Sequence, residues 1–107
     1  MNTLSALTIG SPDYLRPAFN GSAHYTAALP ANEEVGEILF YRITATPSDQ
    51  GATVALALQN KIGGLDLTDY NGGQLEVRTM NTASGTLVIT VTKDGVSRKY
   101  YVDVTVG

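Results

Sequence analysis

Apolar and polar residues alternate with period two along most of this chain, most regularly between residues 86 and 106, TLVITVTKDGVSRKYYVDVTV. That period belongs to a strand with one face buried. Asp94-Gly95 divides the run, and Asp-Gly between two alternating segments predicts a two-residue type I′ turn, because both central positions require φ > 0. A two-residue loop sets the register: Lys93 pairs with Val96, Val91 with Arg98, Ile89 with Tyr100 and Leu87 with Val102. One face of the hairpin then carries Leu87, Ile89, Val91, Tyr100, Val102, Val104 and Val106, and is expected to face the core. The other carries Thr86, Val88, Thr90, Thr92, Ser97, Lys99, Tyr101, Asp103 and Thr105, and is expected to face water. A slip of one residue would bury Lys99 and Asp103, so the register is well specified.

The same pattern, in shorter pieces, runs through the rest of the chain. TLSALTI predicts a first strand with Leu4, Leu7 and Ile9 as its apolar positions, broken by GSPD. YLRPAF contains Pro17, which cannot donate to a ladder, so the segment reads as an edge or irregular piece that plugs Leu15 and Phe19 into the core. Asn20-Gly21 is a turn, and HYTAALP sets Tyr25, Ala27 and Leu29 on one face before Pro30 and the acidic loop ANEEVGE. ILFYRITATP directs Leu39, Tyr41, Ile43 and Ala45 inward, and ATVALALQ does the same with Ala52, Val54, Leu56 and Leu58. NKIGGLDLTDYNGG, residues 60–73, is the longest irregular stretch, with room for one short strand. QLEVRTM follows with Leu75 and Val77 inward. About seven short strands separated by turns predict an all-β, immunoglobulin-like two-sheet Greek-key β-sandwich.

With 107 residues the chain suits a single domain, 1–107, with one core. Seven Lys and Arg, scattered along a chain of net charge -3, argue against nucleic acid as a partner. No cysteine is present, which excludes a disulfide scaffold. No apolar run is long enough to span a bilayer, and no charged segment leads into an apolar one as in a signal peptide. Membrane insertion is therefore not expected.

In order and spacing, LSALTI, YLRPAF, HYTAAL, ITATPSDQGATVAL and GTLVITVTKDGVSRKYYVDVTV resemble the cadherin-like β-sandwich domains of bacterial cell-surface and secreted proteins. The resemblance spans nearly the whole chain and departs from the family pattern at residues 31–37 and 60–73. It implies a spacer, an adhesive module or a carbohydrate-contacting accessory, joined to neighbouring domains of a longer exported protein at the cell surface or outside the cell. A phage or virion decoration domain would share the architecture. The acidic calcium motifs of true cadherins are missing.

The side chains support no enzyme and imply no cofactor. His24 is the sole histidine, no Gly-x-Ser-x-Gly elbow accompanies it, and a zinc site would need more nitrogen or sulfur ligands than the chain offers. Glu33, Glu34 and Glu37 share one loop and read as a solvated charge cluster. Lys61, Lys93 and Lys99 occupy loop, turn or outward positions, unsuited to an internal isopeptide bond. Tyr14, Tyr70 and Tyr101 remain as aromatic platforms for a sugar or peptide. Of these, Tyr70 with Asp66, Asp69 and Asn71 makes the best ligand-binding cluster, for a glycan or protein ligand. Its oxygen ligands suit calcium in kind, but they lack the spacing and closing Glu of an EF-hand, and Asx-turns account for them without a metal.

Overall fold

The computed structural model describes residues 2–69, 72–78 and 80–107. Their strands are β1 (Leu4–Ile9), β2 (Leu15–Arg16), β3 (His24–Leu29), β4 (Leu39–Pro47), β5 (Thr53–Ile62), β6 (Leu65–Thr68), β7 (Gln74–Val77), β8 (Ala83–Lys93) and β9 (Val96–Val106). They form two packed sheets, ordered β1-β4-β7-β6 and β2-β3-β9-β8-β5. The chain is an all-β sandwich. Among the described residues there are nine strands where about seven were expected, because Leu15–Arg16 and Leu65–Thr68 both find partners, in β3 and β7 respectively. The 60–73 stretch is also more regular than expected, since β5 runs on to Ile62.

The final hairpin pairs in the register its turn dictates, Lys93 with Val96 through to Ala83 with Val106. Asp94 and Gly95 have φ of 53° and 77°, the type I′ conformation. A β-branched residue is strained there, so Gly95→Val is expected to destabilise the domain by about 1–3 kcal/mol. A thermal melt measures it; an unchanged midpoint would mean that the turn relaxes at no cost.

The core lies between the sheets. Leu7, Ile9, Ile43, Leu65, Leu75 and Val77 meet Leu29, Leu87, Ile89, Val91, Val102 and Val104, all essentially without solvent contact. Leu15 plugs into this core from β2, and the Phe19 ring lies 5.8 Å from Tyr25 and 6.2 Å from Tyr100. An interior hydrogen bond crosses between the sheets at Tyr100, whose hydroxyl accepts the Leu4 N–H at 3.0 Å. The expected outer face of the hairpin needs one correction. Val88 is only 3% exposed. Its cross-strand neighbours are Ala57 and Tyr101, and in the middle of a five-stranded sheet they shield it from both sides.

The acidic loop after β3 is tied down by Asn32, a buried polar residue 3% exposed. Its amide donates to the Glu37 carbonyl and, at 3.0 Å, to the Val77 carbonyl at the end of β7. Asn32→Ala leaves both carbonyls without that donor and is expected to cost about 1–3 kcal/mol. Denaturant titration decides this, and wild-type stability would mean that water takes over both bonds.

Candidate functional site

Of the four residues singled out in the 60–73 stretch, the structure describes Asp66 and Asp69. Tyr70 and Asn71 lie outside the described residues. Asp66 points outward from β6, between the inward Leu65 and Leu67. Its carboxylate is ion-paired with Lys61 and lies 3.6 Å from the Arg78 guanidinium. Arg78 also holds Glu76 at 3.1 Å, and Glu76 is the cross-strand partner of Asp66. Two adjacent carboxylates on neighbouring strands would repel each other, and the two cations offset that repulsion. The cluster is half-exposed, so each pair contributes at most about 1 kcal/mol.

Asp69 lies just past β6 and lines a cleft of about 450 Å³ with Ala45, Val54, Ala55, Leu56 and Gly72. This cleft opens at the side of the sandwich where β5 and β6 end their respective sheets. Among the described residues no three His, Asp or Glu side chains converge as a metal-binding group.

The tyrosines separate in a way that the period-two pattern does not foresee. Tyr14 is not a free platform: it packs edge-on against Tyr41 with ring centroids 5.5 Å apart, and both rings rest on the core. Burial pushes the Tyr41 phenol above its ordinary pKa, and Tyr14 beside it adds to the shift. Tyr101 is on the outer face of the five-stranded sheet, stacked on His24 with centroids 5.2 Å apart and planes 12° from parallel. These two residues meet because β3 runs parallel to β9, with His24 opposite Tyr101. A row His24, Tyr101, Val88, Ala57 then crosses four strands. Beside it Thr86 donates to Asp103 at 3.2 Å, and a cleft of about 330 Å³ is lined by Arg16, Pro17, His24 and Asp103 among others. The result is a broad face of mixed charge and aromatic character. Sequence reasoning placed Tyr101 outward but lacked the parallel pairing that brings His24 to it.

At one pole the turn after β4 is joined to the tip of the final hairpin. Asp49 accepts the Gly51 N–H at 2.9 Å and lies 3.5 Å from the Lys93 ammonium. The Asp49 carboxyl is lowered to about 2 from its usual 3.8, with the Gly51 hydrogen bond the largest cause and Lys93 among the lesser ones. A depressed carboxylate pKa stabilises the fold above the unfolded value, and that contribution is lost as pH falls through the folded one. The window is therefore from near pH 4 down to about 2. NMR titration of the Asp49 carboxyl is expected to give a midpoint of about 2; a midpoint near 3.8 would show that the Gly51 bond does not persist in solution.

Comparison of the chain with protein-family models, with curated proteins and with solved structures returned no match. No helix among the described residues is long and apolar enough to cross a membrane. Fold and surface together define a two-sheet β module whose best-formed polar groups are ion pairs, turns and an outward sheet face.

Proposed function

We propose that this chain is an immunoglobulin-like Greek-key sandwich of the cadherin-like kind, a non-catalytic spacer or adhesive module within a larger bacterial surface or secreted protein. The strand order supports the fold reading. β1-β4-β7-β6 facing β3-β9-β8-β5 matches the ABED and CFG sheets of such domains, with the opening strand divided between the two sheets. The observation that carries the spacer reading is the position of the first and last strands. β1 starts at the pole that holds the 48–51 turn, where Leu4 lies opposite Pro47 and Ser48 donates to the Thr3 carbonyl. β9 ends at the opposite pole, where Val106 pairs with Leu29 and Ala83. The body between is 45 × 25 × 24 Å, so copies joined in series add length along the long axis.

Small-angle scattering of a directly joined two-copy tandem tests this. The maximum dimension is expected to grow by close to the 45 Å long axis, and a side-by-side pair would overturn the spacer reading. The cleft at Asp69 favours a second reading, a glycan-binding module. In an NMR titration with a panel of soluble glycans, shifts at Leu56, Asp69 and Gly72 support that reading. Shifts confined to His24, Lys99 and Tyr101 point instead to a partner on the outer face of the hairpin.

A further inference from the structure

The four sheet edges are not alike. β2 has two residues, its Arg16 guanidinium is folded onto the Asp13 and Leu15 carbonyls, and Pro17 follows without an N–H. β1 is interrupted by a register shift between Leu4 and Ala6. β6 has four residues and carries the ion-paired Asp66. These are the usual protections of an exposed edge. β5 has ten residues, and its only irregularity lies beyond Gln59. From Thr53 to Gln59 it contains no charge and no proline.

The turn geometry shows which backbone groups this edge presents. Lys93 and Val96 close a two-residue loop and are therefore a hydrogen-bonded pair, so odd-numbered residues of β8 bond to β9 and even-numbered ones bond to β5. The bond from the Tyr101 N–H to the Ala23 carbonyl fits this alternation, since odd residues of β9 then face β3. Thr92, Thr90, Val88 and Thr86 are matched by Thr53, Ala55, Ala57 and Gln59. Val54, Leu56 and Leu58 turn their N–H and C=O groups to the free side, and among the described residues nothing bonds to them there.

We propose that the β5 edge pairs antiparallel with the β5 edge of a second copy of this chain, about a two-fold axis at Leu56. An open row of alternating donors and acceptors accepts an extended strand. This row is complementary to itself: centred on Leu56, it sets Leu56 against Leu56, Val54 against Leu58, Ala55 against Ala57 and Thr53 against Gln59. No like charges face each other. The charges nearest the two ends of the strand, Lys61 and Asp49, are each already ion-paired within their own copy, with Asp66 and Lys93. An isologous contact of this kind closes at two copies and does not propagate. It joins the two five-stranded sheets into one continuous sheet.

Sedimentation equilibrium between about 10 µM and about 1 mM, the range of weak homotypic contacts, is expected to show a monomer–dimer equilibrium. Over that range amide exchange at Val54, Leu56 and Leu58 should slow by about tenfold or more, while the β8-bonded amides of Thr53, Ala55 and Ala57 stay unchanged. Ala55 and Ala57 point outward and are exposed, so charges there leave the core intact. The double variant Ala55→Lys with Ala57→Lys is expected to be monomeric, as is Ala55→Glu with Ala57→Glu. An equimolar mixture should regain dimers through the pairings 55 with 57 and 57 with 55. A wild type that stays monomeric with concentration-independent exchange overturns the proposal. So does a lysine variant that associates as the wild type does, because its contact would lie elsewhere.

Discussion

Replacing Tyr100 by alanine is expected to cost about 3–5 kcal/mol, enough to unfold much of the population of a small domain at ambient temperature. Tyr100 is among the largest fully buried side chains and packs against Phe19. Its removal opens a cavity and also strips the acceptor from the buried Leu4 N–H. The two contributions separate in Tyr100→Phe, which keeps the ring and loses only the hydroxyl. That change should cost about 1–3 kcal/mol, the penalty of one buried donor left unpaired. Chemical denaturation of both variants measures the difference. A Phe variant as stable as wild type would mean that β1 does not depend on this bond, and the anchoring of Leu4 would then rest on its burial and its pairing with Pro47.

Ile89→Ala is expected to cost about 2–5 kcal/mol and its chain neighbour Thr90→Ala less than about 1. Ile89 has no solvent contact and lies in β8, with Leu56 and Tyr100 as its cross-strand partners. Thr90 points to the opposite face, between Ala55 and Lys99. The ratio of the two costs is the informative quantity, read from denaturant midpoints at low protein concentration. Equal costs would mean that the outer face is covered as fully as the inner one.

The hairpin from Thr86 to Val106 was legible to the residue. Turn type, register and inward face all follow from Asp94-Gly95 and period-two alternation, which are local properties. The same held for Tyr25, Ala27 and Leu29 in β3, for Leu39 to Ala45 in β4, and for Leu15 as a plug beside Pro17. Val88 was misread because alternation reports which side a residue points to and not what stands beside it. The 60–73 stretch was read as irregular because its glycines mask two strand segments, whose regularity comes from the partners β8 and β7.

The candidate site was legible only as a set of residue types. Asp66 reads as a free carboxylate until Lys61 and Arg78 are brought to it by the β5–β6 connection and by the end of β7. His24 reads as a lone surface histidine until Tyr101, far along the chain, becomes its stacking partner. By itself the sequence determined the final hairpin and the inward faces of the strands it made visible, because strand period and turn chemistry act over a few neighbouring residues. Which strands pair, which edge is left open at Val54, Leu56 and Leu58, and which charges are neutralised were decided by tertiary structure. Those outcomes depend on how two sheets share one core, and residues tens of positions apart meet only once that core has formed.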